Sequence, residues 1–332
     1  MSTARLSIIR LMPPIPSLFC LRACACATGP WAPAVTAVPR AMVAFYVDRQ
    51  KQALAVQRSR LEFQRRKFAL ETAINHRQTF NSVCSCDEML QLMSPVREID
   101  VVNTPYDGRF TFARVRYATA PGGYWYMGLP SWAHGYPMSE DNLMRIMNEV
   151  TNLGARTDAY NAFTFDDPQI GKYPIVYLTE AGWWTMTDRE VEACRAYLLK
   201  GGFLWVDDFW GTASWQQWTH EIKRVMPEYQ IIDIPLEHPI RHTLYDLQTI
   251  PQVTAIQNWR RTHDTRERGD DSPHANFRGM VDDKGRILVV MTHNTDIGDS
   301  WEREGDDPSY FASFGPAGYA LGINAFLYGL TH

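Results

Sequence analysis

From residue 110 onward the hydrophobic pattern alternates between two periods. Phe110, Phe112 and Val115 alternate with polar neighbours and predict a first strand over Phe110–Tyr117. Ser139 then precedes Leu143, Ile146, Met147 and Val150 at helical spacing. Pro174–Thr179 reads as a short buried strand. Thr187 and Glu190 form a capping box for a helix through Val191, Cys194 and Leu198, which Gly201-Gly202 ends. Phe203–Val206 is a nearly continuous apolar strand that runs into Asp207-Asp208. A Trp-rich helix follows over Thr212–Met226, then a strand over Tyr229–Ile234. Phe277–Val281 and Arg286–Thr292 flank Asp282-Asp283-Lys284-Gly285, the chemistry of a hairpin turn, so those two aspartates read as turn residues. Residues 260–276 carry many charges plus Gly269 and Pro273 and predict a solvent-facing loop or lid, and Gly315–Leu330 predicts a final helix.

This alternation predicts an α/β fold, a mainly parallel sheet with helices on both faces. Upstream, Val47, Leu54, Leu61 and Phe68 recur every seven residues and predict a basic helix over 43–77, too thin in its apolar stripe for a self-sufficient coiled coil. It reads as a solvated helix or as a surface for a membrane or an envelope protein. Residues 1–40 hold Pro13, Pro14, Pro16, Pro30, Pro33 and Pro39 and no apolar period. Arg5 and Arg10 ahead of Leu11–Leu21, with Ala25-Cys26-Ala27 beyond, have the anatomy of an export signal. The competing reading is a start at Met42 and a cytoplasmic protein. The domain plan is therefore a leader or irregular segment over 1–40, a basic helix and linker over 41–104, and an α/β domain over 105–332.

Composition changes this picture little, but charge does. Of 332 residues, 45% are apolar and 21% charged, as in a folded domain, and no uninterrupted apolar run reaches membrane-spanning length. Residues 1–77 carry twelve Lys and Arg against three acids, so a net charge of −4 leaves 78–332 at −13. An acidic body repels phosphate backbones and argues against a nucleic-acid role. Cys84-Ser85-Cys86 lacks a second pair at zinc spacing, and Cys194 falls on an apolar helix face. No nucleophile elbow of the G-x-S-x-G type, no Walker-type loop and no H-E-x-x-H is present. The sequence assigns no metal ligands and no cofactor.

Ligands of open parallel sheets bind at the carboxyl ends of strands. Here the loop after the first strand brings Trp125, with Trp132 and His134 further along. The second end brings Glu180, Trp183 and Trp184, the third Asp207, Asp208 and Trp210, and the last His293, Asn294 and Asp296. Glu180, Asp207, Asp208 and His293 are the candidate acid/base groups. Trp125, Trp183, Trp184, Trp210, Asn294 and Asp296 are the candidate ligand contacts, because indole faces beside carboxylates suit the C–H patches and hydroxyls of a carbohydrate-like ligand. A collapsed apolar lid is the competing reading of the indoles.

Tyr106-Asp107-Gly108-Arg109-Phe110, Gly182-Trp183-Trp184, the Thr187–Glu190 cap and Gly201-Gly202-Phe203-Leu204-Trp205-Val206-Asp207-Asp208 together resemble the bacterial domain of unknown function 4159 family, over roughly 105–330. That resemblance implies an exported or periplasmic protein and no assigned activity. The order of elements is also similar to the flavodoxin-like, class I glutamine amidotransferase-like fold and its ThuA-like branch, to which His238-Pro239-Ile240 is similar as well. Amidotransferases of that fold carry a nucleophilic cysteine where this chain has Asp207-Asp208, so the likeness implies the fold without glutaminase activity. Three functions stand at this point. One is a non-glutaminase binding or accessory protein for a carbohydrate-like ligand. Another is a hydrolase or isomerase using Glu180 with Asp207 or Asp208, with or without a metal. The third is a purely structural partner of an envelope assembly, reached through the basic helix.

Overall fold

A computed structural model of the chain describes residues 99–120, 123–125 and 129–332. The leader and the basic helix expected at 43–77 lie outside the described residues, as do Cys84 and Cys86. Seven strands form one sheet: β1 (Ala113–Val115), β2 (Asn161–Phe163), β3 (Ile175–Thr179), β4 (Phe203–Phe209), β5 (Ile231–Asp233), β6 (Asn276–Val281) and β7 (Ile287–His293). Their order is β2-β1-β3-β4-β7-β6-β5. The first five of these run parallel, β6 pairs antiparallel with β7, and β5 pairs antiparallel with β6.

The central strands are apolar throughout because both faces are covered. On one face Val176, Leu178, Leu204 and Val206 pack with Cys194 and Leu198 of α2 (Asp188–Leu199) and Trp218 and Ile222 of α3 (Gly211–Val225). On the other, Ile175, Tyr177, Phe203 and Trp205 meet Leu143 and Met147 of α1 (Met138–Val150) and Ile256 of α4 (Ile256–Thr262). Ile297 and Trp301 of α5 (Ile297–Glu302) and Leu321 and Phe326 of α6 (Pro308–Thr331) complete that layer. The capping box at Thr187–Glu190 forms as the sequence predicts, and so does the hairpin at 282–285. Helix α6 comes close enough to its neighbours that a Cβ at Gly318 would run into Ser300 Oγ, which explains glycines in a long apolar helix. Among the described residues, no helix is long and apolar enough to cross a membrane.

Four local expectations change. The first strand is only Ala113–Val115, because Phe110 and Phe112 pack into the core ahead of the paired residues. Strand β2 and helix α5 have no counterpart in the pattern, being three and six residues long. Met138 rather than Ser139 opens α1. Residues 260–276 are not a free lid. Asp271 accepts hydrogen bonds from Thr212 N (2.8 Å) and Thr212 Oγ1 (2.5 Å), and Ser272 is buried, so this segment is fastened to the start of α3.

Trp184 is fully buried and stacks on Trp218 with ring centroids 5.1 Å apart, whereas Trp183 is only half-buried. Trp184→Ala is therefore expected to cost roughly 3 to 5 kcal/mol of folding stability, as large-to-small core changes do. Trp183→Ala should cost about 1 to 2 kcal/mol, in proportion to its smaller buried area. Denaturant unfolding of the two variants checks this, and equal losses would contradict the packing described here.

Candidate functional site

Three of the four described non-glycine residues with positive φ sit at the carboxyl ends of three adjacent parallel strands: Glu180 (φ 55°) after β3, Asp208 (φ 55°) near the end of β4, and Asn294 (φ 61°) after β7. A left-handed residue other than glycine costs about 1 to 2 kcal/mol, so the surroundings must hold each one. Tyr117 Oη donates to the Glu180 carbonyl (2.9 Å). Asp208 N donates to Thr295 O (3.2 Å), and Asn294 N to Phe209 O (2.9 Å). On β4 and β7, Val206 pairs with Met291 and Phe209 with His293, leaving Asp207 and Asp208 opposite Thr292 alone. This bulge puts the two neighbouring carboxylates in different surroundings.

Asp207 is sealed from solvent. Its Oδ2 accepts from Tyr177 Oη (2.8 Å) and Gly298 N (2.9 Å), and its Oδ1 from Thr292 Oγ1 (2.5 Å). Asp208 instead turns its Oδ2 to His134 Nδ1 (2.8 Å), while its Oδ1 accepts from Trp210 Nε1 (3.1 Å). His134 Nδ1 also lies 3.8 Å from Glu180 Oε1. The cluster opens to solvent through the His134 and Glu180 side chains, 19% and 29% exposed, against 6% for Asp208.

His134 reaches this place because Arg114 requires it. Arg114, fully buried in β1, pairs its Nε with Glu140 Oε1 (2.6 Å) and donates from Nη1 to the carbonyls of Trp132 (3.1 Å) and His134. The residues just ahead of α1 are thereby tied to the strand. Glu140 stands in the first turn of that helix, where a carboxylate is also favoured by the helix dipole.

Electrostatically the site holds more acid than base. Burial lowers the proton affinity of His134, but the hydrogen bond and charge of Asp208, with the charges of Asp299 and Glu302, outweigh it and raise the imidazole to about 10. Burial and the neighbouring Asp208 push Glu180 up to about 8. Burial also lifts Asp207, Glu267 and Glu302 to about 7 each and raises Asp296, despite the hydrogen bonds that oppose the shift in Asp207. At neutral pH the arrangement thus offers a protonated Glu180 beside an imidazolium–carboxylate pair, the components of proton transfer to and from one ligand. Two groups of donor atoms lie within 4.8 Å of one another, His134 with Glu180 and Asp208, and His134 with Asp299 and Glu302, either of which can be asked to hold a metal ion.

Other residues singled out from the sequence take supporting places. His293 points to Phe209 and Trp215, with Nε2 3.2 Å from Gly211 O, and burial lowers it to about 4. Asn294 Oδ1 accepts from Gly211 N (2.8 Å), bracing the start of α3. Asp296 Oδ1 accepts from Asp299 N (2.9 Å) as the cap of α5. Trp210 is 6% exposed and serves Asp208, and Trp184 belongs to the core, so neither offers a face to a ligand. The side chain of Trp125 lies outside the description. Trp183 is carried on the short 3-10 turn Ala181–Trp183 that starts beside Glu180. Sequence reasoning placed His134 on the right loop without choosing it, and missed Glu267, Asp299 and Glu302. Nothing in their spacing sets them apart from surface acids.

A group whose folded pKa is raised binds protons in the folded chain that the unfolded chain has released, so its contribution to stability is present at low pH and lost as pH rises through the folded value. For Glu180, Asp207, Glu267 and Glu302 that window runs from the ordinary carboxylate range to about 8. Unfolding free energy in EDTA-treated protein is expected to be lower at pH 8.5 than at pH 5.5, by on the order of a few kcal/mol. A flat or rising profile would contradict the burial of these acids.

No curated protein matches the chain significantly. The family model described as Domain of unknown function (DUF4159) matches residues 111–330. That stretch holds all seven strands together with His134, Glu180 and Asp208, and on this match the chain belongs to the DUF4159 family.

Proposed function

We propose that the carboxyl edge of the sheet is an acid/base site, and that the protein is a hydrolase or isomerase of a hydroxyl-rich, carbohydrate-like ligand. The observation that carries this reading is the His134 imidazole held between the carboxylates of Asp208 and Glu180 at the mouth of the site. Glu180, the most exposed of the three, is the group that gives or takes the proton. Asp208 fixes the imidazole, and Asp207 braces the strand end through Tyr177, Thr292 and Gly298. The parallel strand order β2-β1-β3-β4-β7 supports a flavodoxin-like, class I glutamine amidotransferase-like topology, in which ligands meet strand ends at the switch point beside the first strand. Glutaminase chemistry does not fit, since Asp207-Asp208 stands at the elbow and Cys194 is fully buried in α2, where burial raises its thiol. An exported location accords with this reading and rests on the leader anatomy of residues 1–27.

The second reading, a binding or accessory protein, is favoured by the half-buried Trp183 next to Glu180 but is weakened by the loss of Trp184 and Trp210 as platform residues. Incubating the full chain with a panel of oligosaccharides and aryl glycosides separates the two. Turnover of a panel member that falls by about 100-fold or more in Glu180→Gln, with melting temperature retained, is the expected outcome. Binding without turnover that is weakened by about 1 to 3 kcal/mol in Trp183→Ala and kept in Glu180→Gln would overturn the catalytic reading in favour of the second.

A further inference from the structure

We propose that His134, Glu180 and Asp208 form a binding site for one divalent transition-metal ion of the zinc or manganese class. The inference deepens the acid/base reading and rests on it for the site's role, though not for the binding itself. The three donors come from three separate elements, the loop ahead of α1 and the ends of β3 and β4. Their ligand atoms lie within 4.8 Å of one another, with 2.8 Å and 3.8 Å separating the imidazole Nδ1 from the two carboxylate oxygens. An ion bound at about 2.0 to 2.2 Å from each ligand needs ligand pairs roughly 3 to 3.5 Å apart. Asp208 and His134 are already near that spacing, and Glu180, the most exposed of the three, is the one that has to move closer.

Charge supplies an independent argument. Asp299 and Glu302, the carboxylates of the other donor group, are engaged by Arg303 at 3.2 Å and 2.7 Å. Among the described residues, the ion pairs of Glu180 and Asp208 run to His134 alone, so two carboxyl groups face one imidazole. A divalent cation bound here takes the place of protons on His134 and Glu180 and displaces no arginine, which favours His134–Glu180–Asp208 over His134–Asp299–Glu302.

Outer contacts fix the donors, one at a ligand side chain and two at the main chain of the other two residues. Trp210 Nε1 donates to the second oxygen of Asp208, Tyr117 Oη to the carbonyl of Glu180, and Arg114 Nη1 to the carbonyl of His134. One imidazole and two carboxylates suit a borderline or oxygen-preferring ion better than copper(I) or an iron–sulfur cluster. Three protein ligands leave coordination positions open toward the exposed side of Glu180 and His134, as in catalytic rather than structural sites. There a hydroxyl or a water of a carbohydrate-like ligand can bind.

The test uses the full chain, stripped with EDTA and dialysed, titrated calorimetrically with zinc chloride and separately with manganese chloride at pH 7.5. The expected result is one equivalent of at least one of the two ions per chain, with affinity reduced about 100-fold in Asp208→Asn and in Glu180→Gln and unchanged within about twofold in Glu302→Gln. Glu180→Gln alters an exposed side chain and guards against a fold defect in Asp208→Asn, and circular dichroism of each variant accompanies the titration. No binding of either ion up to 1 mM, or loss of binding in Glu302→Gln with retention in Glu180→Gln, would overturn the assignment. If neither ion binds while Glu180→Gln still abolishes turnover in EDTA, the metal proposal fails and the acid/base reading survives. If an ion binds as expected but no turnover depends on Glu180, the reverse holds.

Discussion

A guanidinium buried in a strand has to be satisfied where it stands, and Arg114 imposes that condition on the whole edge of the sheet. An unpaired charge at such a depth costs several kcal/mol, and removing one partner of a buried pair typically costs 3 to 5. Arg114 meets the requirement with Glu140 at the head of α1 and with the carbonyls of Trp132 and His134. Helix, loop and strand are thus fixed together by one side chain. The helix has its apolar face directed at Tyr177 and Trp301, and the loop ends with an imidazole over the ends of β3 and β4. Position of the site follows from satisfaction of a charge some distance beneath it.

That position concentrates unfavourable terms. Left-handed backbone at Glu180, Asp208 and Asn294 and several buried acids with raised proton affinity all occur at one edge, while the interior of the sheet is regular and apolar. Such features persist where the surrounding structure over-determines them, and they cluster where a fold does chemistry or binds ligands. Division of labour between adjacent aspartates follows from the bulge. Asp207 is spent on Tyr177, Thr292 and Gly298, and Asp208 is left for His134.

Much of the fold was legible because its central strands are apolar runs that end abruptly in polar residues. Pro174–Thr179 into Glu180 and Phe203–Val206 into Asp207-Asp208 announce both a buried parallel strand and its carboxyl end. The family could be read from the same strings. Strand β2 could not, since three residues carry no period, and α5 is too short to show one. His134 was hidden for a different reason. It lies on irregular chain 46 residues before Glu180, and the buried Arg114 ties its carbonyl to the first strand. Trp184 stayed open between ligand contact and packing, because a loop position in sequence does not reveal that the turn at 181–183 folds the next residue under α3, onto Trp218.

The most direct test of this account is the protonation of one imidazole. In EDTA-treated protein, nitrogen chemical shifts of His134, assigned by comparison with His134→Gln, should report a ring still doubly protonated at pH 8, in keeping with a value raised to about 10 by Asp208. The ring should return toward the ordinary histidine range in Asp208→Asn. A wild-type His134 that titrates near 6.5, with no response to the Asp208 change, would mean that the imidazole and the strand-end carboxylates do not meet, and the site described here would not exist.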